Sequence, residues 1–99
     1  MNRFSFTHSA KQELREAASF YGSQSQGLGL AFTEAVERKI DRLLKFPESA
    51  PPLDFEIRAK AIPRFPYTLY FRWRSERGLL RVLAVAHQKR RPMYWLDRP

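Results

Sequence analysis

Eight consecutive residues, Leu79 to Ala86, are apolar apart from Arg81. A run of that length and composition reads as a central β-strand buried on both faces. The segment before it supplies a neighbour. From Tyr67 to Arg74, the side chains Tyr67, Leu69, Phe71 and Trp73 alternate with Thr68, Tyr70, Arg72 and Arg74, the period of a strand with two different faces. Between the two lies Ser75-Glu76-Arg77-Gly78, a hairpin turn in which Gly78 supplies a positive φ. Upstream, Phe55 to Ile62 is more weakly strand-like: Phe55, Ile57, Ala59 and Ala61 fall on one side, and Glu56, Arg58, Lys60 and Ile62 on the other.

The first half of the chain follows a different period. Phe4 and Phe6 alternate with Arg3, Ser5 and Thr7 as a short strand. Ser9-Ala10-Lys11-Gln12 then reads as a capping box with Ser9 at the N-cap. Ala10, Leu14, Ala17, Ala18 and Tyr21 make one helical face, and Gly22 suits a C-cap before a polar loop ending at Gly27. A second stripe, Leu28, Phe32, Ala35, Val36, Ile40, Leu43 and Leu44, predicts another helix, stopped by Phe46-Pro47. Pro51-Pro52 keeps the following stretch extended. The expected fold is α+β: an N-terminal strand, an antiparallel helical hairpin, then a mainly antiparallel sheet of three further strands, β-α-α-β-β-β, with the hairpin covering one face.

At 99 residues the chain is expected to form a single domain over residues 1–99, because two cores would each be too small to offset chain entropy. It has no cysteine, which removes disulfides and thiolate metal sites and fits a reducing compartment. The N-terminus does not read as a signal peptide, and no apolar run reaches the ~20 residues a membrane-spanning helix needs. A cytoplasmic protein is expected. Charge is uneven: residues 1–50 carry seven basic and six acidic side chains, a net of +1, while residues 51–99 carry eleven and four, a net of +7. Positive charge gathered on one half of a small domain draws polyanions or acidic protein segments.

The pleat places Tyr70, Arg72 and Arg74 together on the face away from the helices, a surface for nucleic acid or an acidic partner. Arg81, Lys89, Arg90 and Arg91 extend the set of candidate binding residues. His87, near Arg90 and Tyr94, has the chemistry of a general acid or base, or of a hydrogen-bonded histidine at a strand exit. His8 reads as local structure, Trp95 as an aromatic packed over the sheet, and Glu13, Glu16, Glu34 and Glu37 as helix-surface charges. No His, Asp and Glu cluster has metal-ligand spacing, so neither metal nor cofactor is expected.

Several segments together resemble the RelE/ParE superfamily of toxins. They are Ala10-x-x-Glu13-Leu14-x-Glu16-Ala17-Ala18-x-x-Tyr21, Gly29-x-x-Phe32, Ile57-Arg58, Arg64-Phe65-Pro66-Tyr67-Thr68-Leu69-Tyr70-Phe71 and the ending Leu83 to Trp95. The resemblance runs through nearly the whole chain. It implies the toxin of a type II toxin–antitoxin module, neutralised by a small acidic antitoxin whose flexible segment wraps it. RelE-like members cut messenger RNA on the ribosome without a metal, and ParE-like members poison DNA gyrase. On the RelE side, Arg58, Lys60, Arg64, Arg81, His87, Arg90 and Tyr94 are the catalytic candidates, with Tyr94 at the position of a base-stacking tyrosine. Where RelE carries catalytic arginines this chain has Thr68 and Gln88, and Ala59 and Ala61 stand near the places of a lysine pair. These departures, with Phe65-Pro66-Tyr67 and the His87-x-x-Arg90-x-Pro92 tail, match the ParE side better. The expectation is therefore a gyrase-directed toxin. A ribosome-dependent endoribonuclease is the alternative, and a non-toxic basic binding module is a third reading.

Overall fold

The computed structural model describes residues 1–54 and 56–99. Strand β1 (Arg3–Phe6) leads into helices α1 (His8–Gln24) and α2 (Leu28–Lys45). A 3-10 turn at Pro47–Ser49 then returns the chain to β2 (Pro52–Asp54), β3 (Ile57–Ala61), β4 (Tyr67–Arg74) and β5 (Leu79–His87). The strands form one five-stranded sheet in the order β1-β5-β4-β3-β2. Every pairing is antiparallel except β1 with β5, which is parallel. The α+β order read from the sequence is the order found, with one strand more. The extended Pro-rich stretch pairs with β3 at the sheet edge, where Pro52 is tolerated as the first residue of a strand. Phe55, read as part of the following strand, lies outside the described residues. Among the described residues no helix is long and apolar enough to cross a membrane.

The helical hairpin covers one face of the sheet. Phe32, Val36, Ile40 and Leu43 of α2 and Ala10 and Ala17 of α1 pack on Leu69, Phe71, Leu80, Val82 and Val85. Tyr21, Phe32, Phe65 and Tyr67 add an aromatic group at one end, with ring centroids 5.0–6.2 Å apart. The other face carries a smaller cluster of Ile57, Leu83, Ala84, Ala86 and Trp95, with Tyr70 and Tyr94 against it. The all-apolar β5 is thus covered on both sides, the second cover being the chain's own tail after His87.

β5 is not a regular strand. Tyr70 pairs with Ala84 and Phe71 with Val82, so Leu83 is an extra residue, a β-bulge. A bulge reverses the alternation beyond it. Leu80 and Val82 face the helices before it, and Val85 does so after it.

The helix termini differ from the sequence reading. The N-cap of α1 is Thr7, whose Oγ1 accepts from Ala10 N at 3.0 Å, while Gln12 donates to Glu16 rather than reaching back to Ser9. Thr7 wins because β1 runs straight into the helix: its own N–H is held by Val82 O at 3.0 Å, fixing the extended backbone an N-cap needs. Gly22 lies inside α1, which ends at Gln24 with Ser25 as C-cap, and Gly27 (φ 83°) turns the chain into α2. Gly78 takes φ 58° in the β4–β5 turn, as its position predicts.

The hairpin closes on Gly29. A Cβ there would run into the Ala18 carbonyl oxygen and lie 3.2 Å from the Gly22 nitrogen, both backbone atoms that cannot rotate away. Gly29→Ala should therefore push the helices apart and lower stability by about 1–3 kcal/mol. Chemical denaturation checks this, and a variant as stable as the parent would show that the helices do not meet there.

Candidate functional site

β1 stops opposite Val82, and the edge of β5 beyond it has side chains in place of a parallel strand. Thr7 Oγ1 and Arg98 Nη1 donate to Leu83 O at 3.3 and 3.0 Å. The N–H of Val85 donates to Glu13 Oε1 at 3.0 Å. The same carboxylate accepts from Tyr94 Oη at 2.6 Å and from both terminal nitrogens of Arg98 at 2.9 and 3.1 Å. Glu13 is only 12% exposed and Arg98 17%. The reading of Glu13 as a helix-surface charge is corrected: it joins α1, the bulge and the tail. Its helical spacing alone carried no sign of this, because its partners lie 72 to 85 residues away.

Tyr94 is held on three sides, by Glu13 at its hydroxyl and by the guanidinium groups of Arg90 and Arg98 at 3.9 and 5.0 Å from its ring centroid. Burial, then the hydrogen bond to Glu13, drives its pKa well above the ordinary phenol value, so it stays a neutral donor. Burial works against the Arg98 charge, but Glu13 outweighs it and the pKa of Arg98 rises. Trp95 packs as the sequence predicts: it is buried and stacks on Tyr70 with centroids 4.5 Å apart.

Of the catalytic candidates, His87, Arg90 and Tyr94 meet at the exit of β5. With Thr68, Tyr70, Gln88 and Trp95 they line a cavity of about 160 Å³. His87 Nδ1 accepts from Lys89 N at 3.0 Å, and its ring lies edge-on to Tyr67 at 5.1 Å. The neutral ring therefore carries its proton on Nε2. The other candidates are elsewhere. Arg58 and Lys60 pair with Phe71 and Leu69, which puts them on the helix-facing side of β3. Arg58 clamps the end of the α2–β2 connection, donating to Ala50 O at 2.7 Å with Glu48 3.7 Å away. Arg64 (φ 72°) is exposed in the β3–β4 loop. Arg81 donates to Ser5 Oγ at 3.0 Å, on the face away from the helices. Arg81 and His87 are six residues apart on one strand, where strict alternation would give them one face; the bulge separates them.

The binding candidates divide too. Arg72, Arg74 and Arg81 share a cavity with Arg77, Leu79 and Pro99, whereas Lys89, Arg90 and Arg91 lie in the tail after β5. The face expected to be open is partly covered: Arg72 Nη1 donates to Pro99 O at 3.1 Å, and Trp95 roofs Tyr70. A basic surface that periodicity did not bring together lies along α2. Arg38, Lys39, Arg42 and Arg64 rim a groove of about 720 Å³ floored by Leu28, Ala31, Ala35, Pro63 and Phe65, with Glu34 the one acid. Its cations come from a helix and from a loop across the chain, so no sequence window contained them.

Residues 4–92 match the family described as the ParE toxin of type II toxin–antitoxin system, parDE. The chain belongs to that family. A chain of the solved chromosomal ParDE TA system from P. aeruginosa superimposes with a TM-score of 0.59 at 15% identity, covering 88% of this chain and 96% of that one. At that identity the likeness speaks for the fold, which is the RelE/ParE-like α+β arrangement the sequence resembles. None of the curated proteins matches this ParE-family chain. The match ends at Pro92, so Tyr94, Trp95 and Arg98, which fasten the tail to Glu13 and Tyr70, lie beyond it.

Two outcomes follow from the Glu13 hub. Glu13→Ala strands the Val85 N–H and the Arg98 cation, and should cost about 3 kcal/mol or more in denaturant unfolding; a loss under 1 kcal/mol would refute its bridging role. The raised pKa of Tyr94 means the folded state keeps the phenol proton that the unfolded chain releases near pH 10.0. Its contribution is complete below that pH and is lost as pH rises further. Tyr67 is shifted the same way, by burial, Tyr21 and Glu13. Tyr94→Phe should thus show a shallower fall in stability above pH 10 than the parent, measured by unfolding at a series of alkaline pH values.

Proposed function

We propose that this chain is the toxin of a type II toxin–antitoxin module and that it acts by binding its target, DNA gyrase, rather than by cutting RNA. The observation that carries this reading is the composition of the cavity at the β5 exit. Thr68 and Gln88, which occupy the positions of RelE catalytic arginines, both line it, and both are neutral. Three of its other polar groups are engaged, Tyr94 with Glu13, Arg90 over the Tyr94 ring, and His87 Nδ1 with a backbone N–H, and the exposed Arg91 is the further cation in its lining. RNA cleavage needs a base for the 2′-hydroxyl, a donor to the leaving oxygen and charge for the phosphorane. Those demands call for several free groups acting together, whereas Tyr94, Arg90 and His87 are each held in an internal contact.

The proposed antitoxin is acidic and binds in the cytoplasm, folding as it docks. The α2 groove suits such a segment. Its apolar floor fits one face of an amphipathic helix, and Arg38, Lys39, Arg42 and Arg64 fit the acidic flanks. Arg72, Arg74, Arg81, Lys89, Arg90 and Arg91 remain for the target on the sheet face and tail.

Induced expression in a host cell is expected to arrest growth, with gyrase–DNA cleavage complexes accumulating. Normal growth would remove the toxin reading. Codon-phased transcript cuts at ribosomes, in place of gyrase-linked breaks, would favour the nuclease. For the antitoxin, Arg38→Glu with Arg42→Glu should weaken capture of the acidic partner about tenfold or more in low salt, and less as salt rises. Undiminished capture would place the partner on another surface.

A further inference from the structure

Arg72 and Arg81 stand directly opposite each other on β4 and β5. Like charges so placed cost stability. Arg74 follows on the same face, and Arg77 comes from the turn between the strands. All four line a cavity of about 180 Å³, closed by Leu79 and Pro99. Among the described residues the four guanidinium groups have one side-chain carboxylate within ion-pair distance: Glu56 lies 4.0 Å from Arg72 and 3.8 Å from Arg74. Arg81 turns to neutral oxygens, Ser5 Oγ at 3.0 Å and Phe6 O at 3.4 Å. Among the described residues neither Arg77 nor Arg81 has a carboxylate within ion-pair distance. The pocket already admits an oxygen acceptor, since the Pro99 main-chain oxygen sits 3.1 Å from Arg72 Nη1.

We propose that this pocket binds a phosphate group, carried by a nucleotide or by the end of a nucleic-acid strand. A carboxylate presents one charge and two oxygens, which a single bidentate arginine satisfies; Glu56, with one oxygen 3.8 and 4.0 Å from Arg74 and Arg72, offsets one of the four charges without a hydrogen bond to either. A terminal phosphate brings nearly two charges and three oxygens, enough to engage Arg77 and Arg81 as well. The cavity volume fits one such group and not a whole nucleotide, so the remainder of the ligand lies outside, across the sheet face. Bound there, the phosphate relieves the repulsion between Arg72 and Arg81. The proposal does not depend on the gyrase reading, because it concerns the isolated chain.

Calorimetric titration of the purified chain with pyrophosphate at fixed ionic strength is the test. Saturable binding to one site is expected. Arg77→Ala, which removes an exposed side chain with no part in packing, and Arg81→Ala should each weaken it about tenfold. Lys11→Ala, an equal loss of charge on α1 away from the pocket, should leave it unchanged. Comparing ATP with a 5′-phosphorylated oligonucleotide then separates the two sources, the tighter ligand naming the carrier. The proposal fails if no saturable binding is seen, if Lys11→Ala weakens binding as much as Arg77→Ala, or if a glutamate-rich peptide binds as tightly with the same sensitivity to the two arginine variants.

Discussion

The Glu13 carboxylate is the contact on which the rest of the molecule depends. Strand β1 is four residues long and ends where β5 bulges, so Leu83 O and Val85 N lose the parallel partner that would have paired them. Each such buried backbone group left unmet costs about 1–3 kcal/mol. Thr7, Glu13 and Arg98 meet them with side chains. Glu13 in turn is a charge out of water, tolerable only because Arg98 and Tyr94 complete its hydrogen bonds. The bulge needs the carboxylate, the carboxylate needs the tail, and the tail needs the apolar patch at Leu83, Ala84 and Ala86 that the bulge presents.

That mutual dependence governs how the charge is laid out. The excess of basic side chains in residues 51–99 does not form one sheet of positive potential. Arg58 and Arg98 are absorbed into structure, one holding the α2–β2 connection and the other the tail. Arg72 and Arg74 are partly neutralised by Glu56. The cations left for partners gather along α2 with Arg64, around the Arg77 and Arg81 pocket, and in the tail after β5. Concave sites with few countercharges focus the field more strongly than an open face does. The charge of this +8 chain is therefore divided among separate surfaces.

Periodicity made the strand and helix order legible, because it depends on which residues are apolar and how they are spaced. The two-sided burial of β5 and the packing of Trp95 were legible for the same reason. What escaped is whatever depends on distance across the fold. Ser9-x-x-Gln12 is a good capping box locally, yet Thr7 takes the cap because Val82 fixes its backbone. Gly22 resembles a helix terminator, but α1 runs past it and it serves instead as a floor against which Gly29 closes. Leu83 looks like any apolar strand residue, so the bulge left no mark, and with it went the faces of Val85 and His87. Glu13 occupied a motif position in the resemblance without its partners being visible.

The bulge also bears on how related folds come to do different chemistry. Shifting one residue out of register sends His87 toward Tyr67 and α1, while Arg81 stays by Ser5 and Arg72. The cavity between Thr68 and Gln88 then faces a tail whose Trp95 lies flat on Tyr70 and whose Tyr94 hydroxyl points at a carboxylate. A tyrosine placed to stack on a base must present its ring, but here Arg90 and Arg98 lie over that ring. Arg98 is itself bound to Glu13, so the hub that holds the bulge also covers one side of the ring. Of the residues around this cavity, Tyr94 is committed through Glu13 to holding the sheet edge closed.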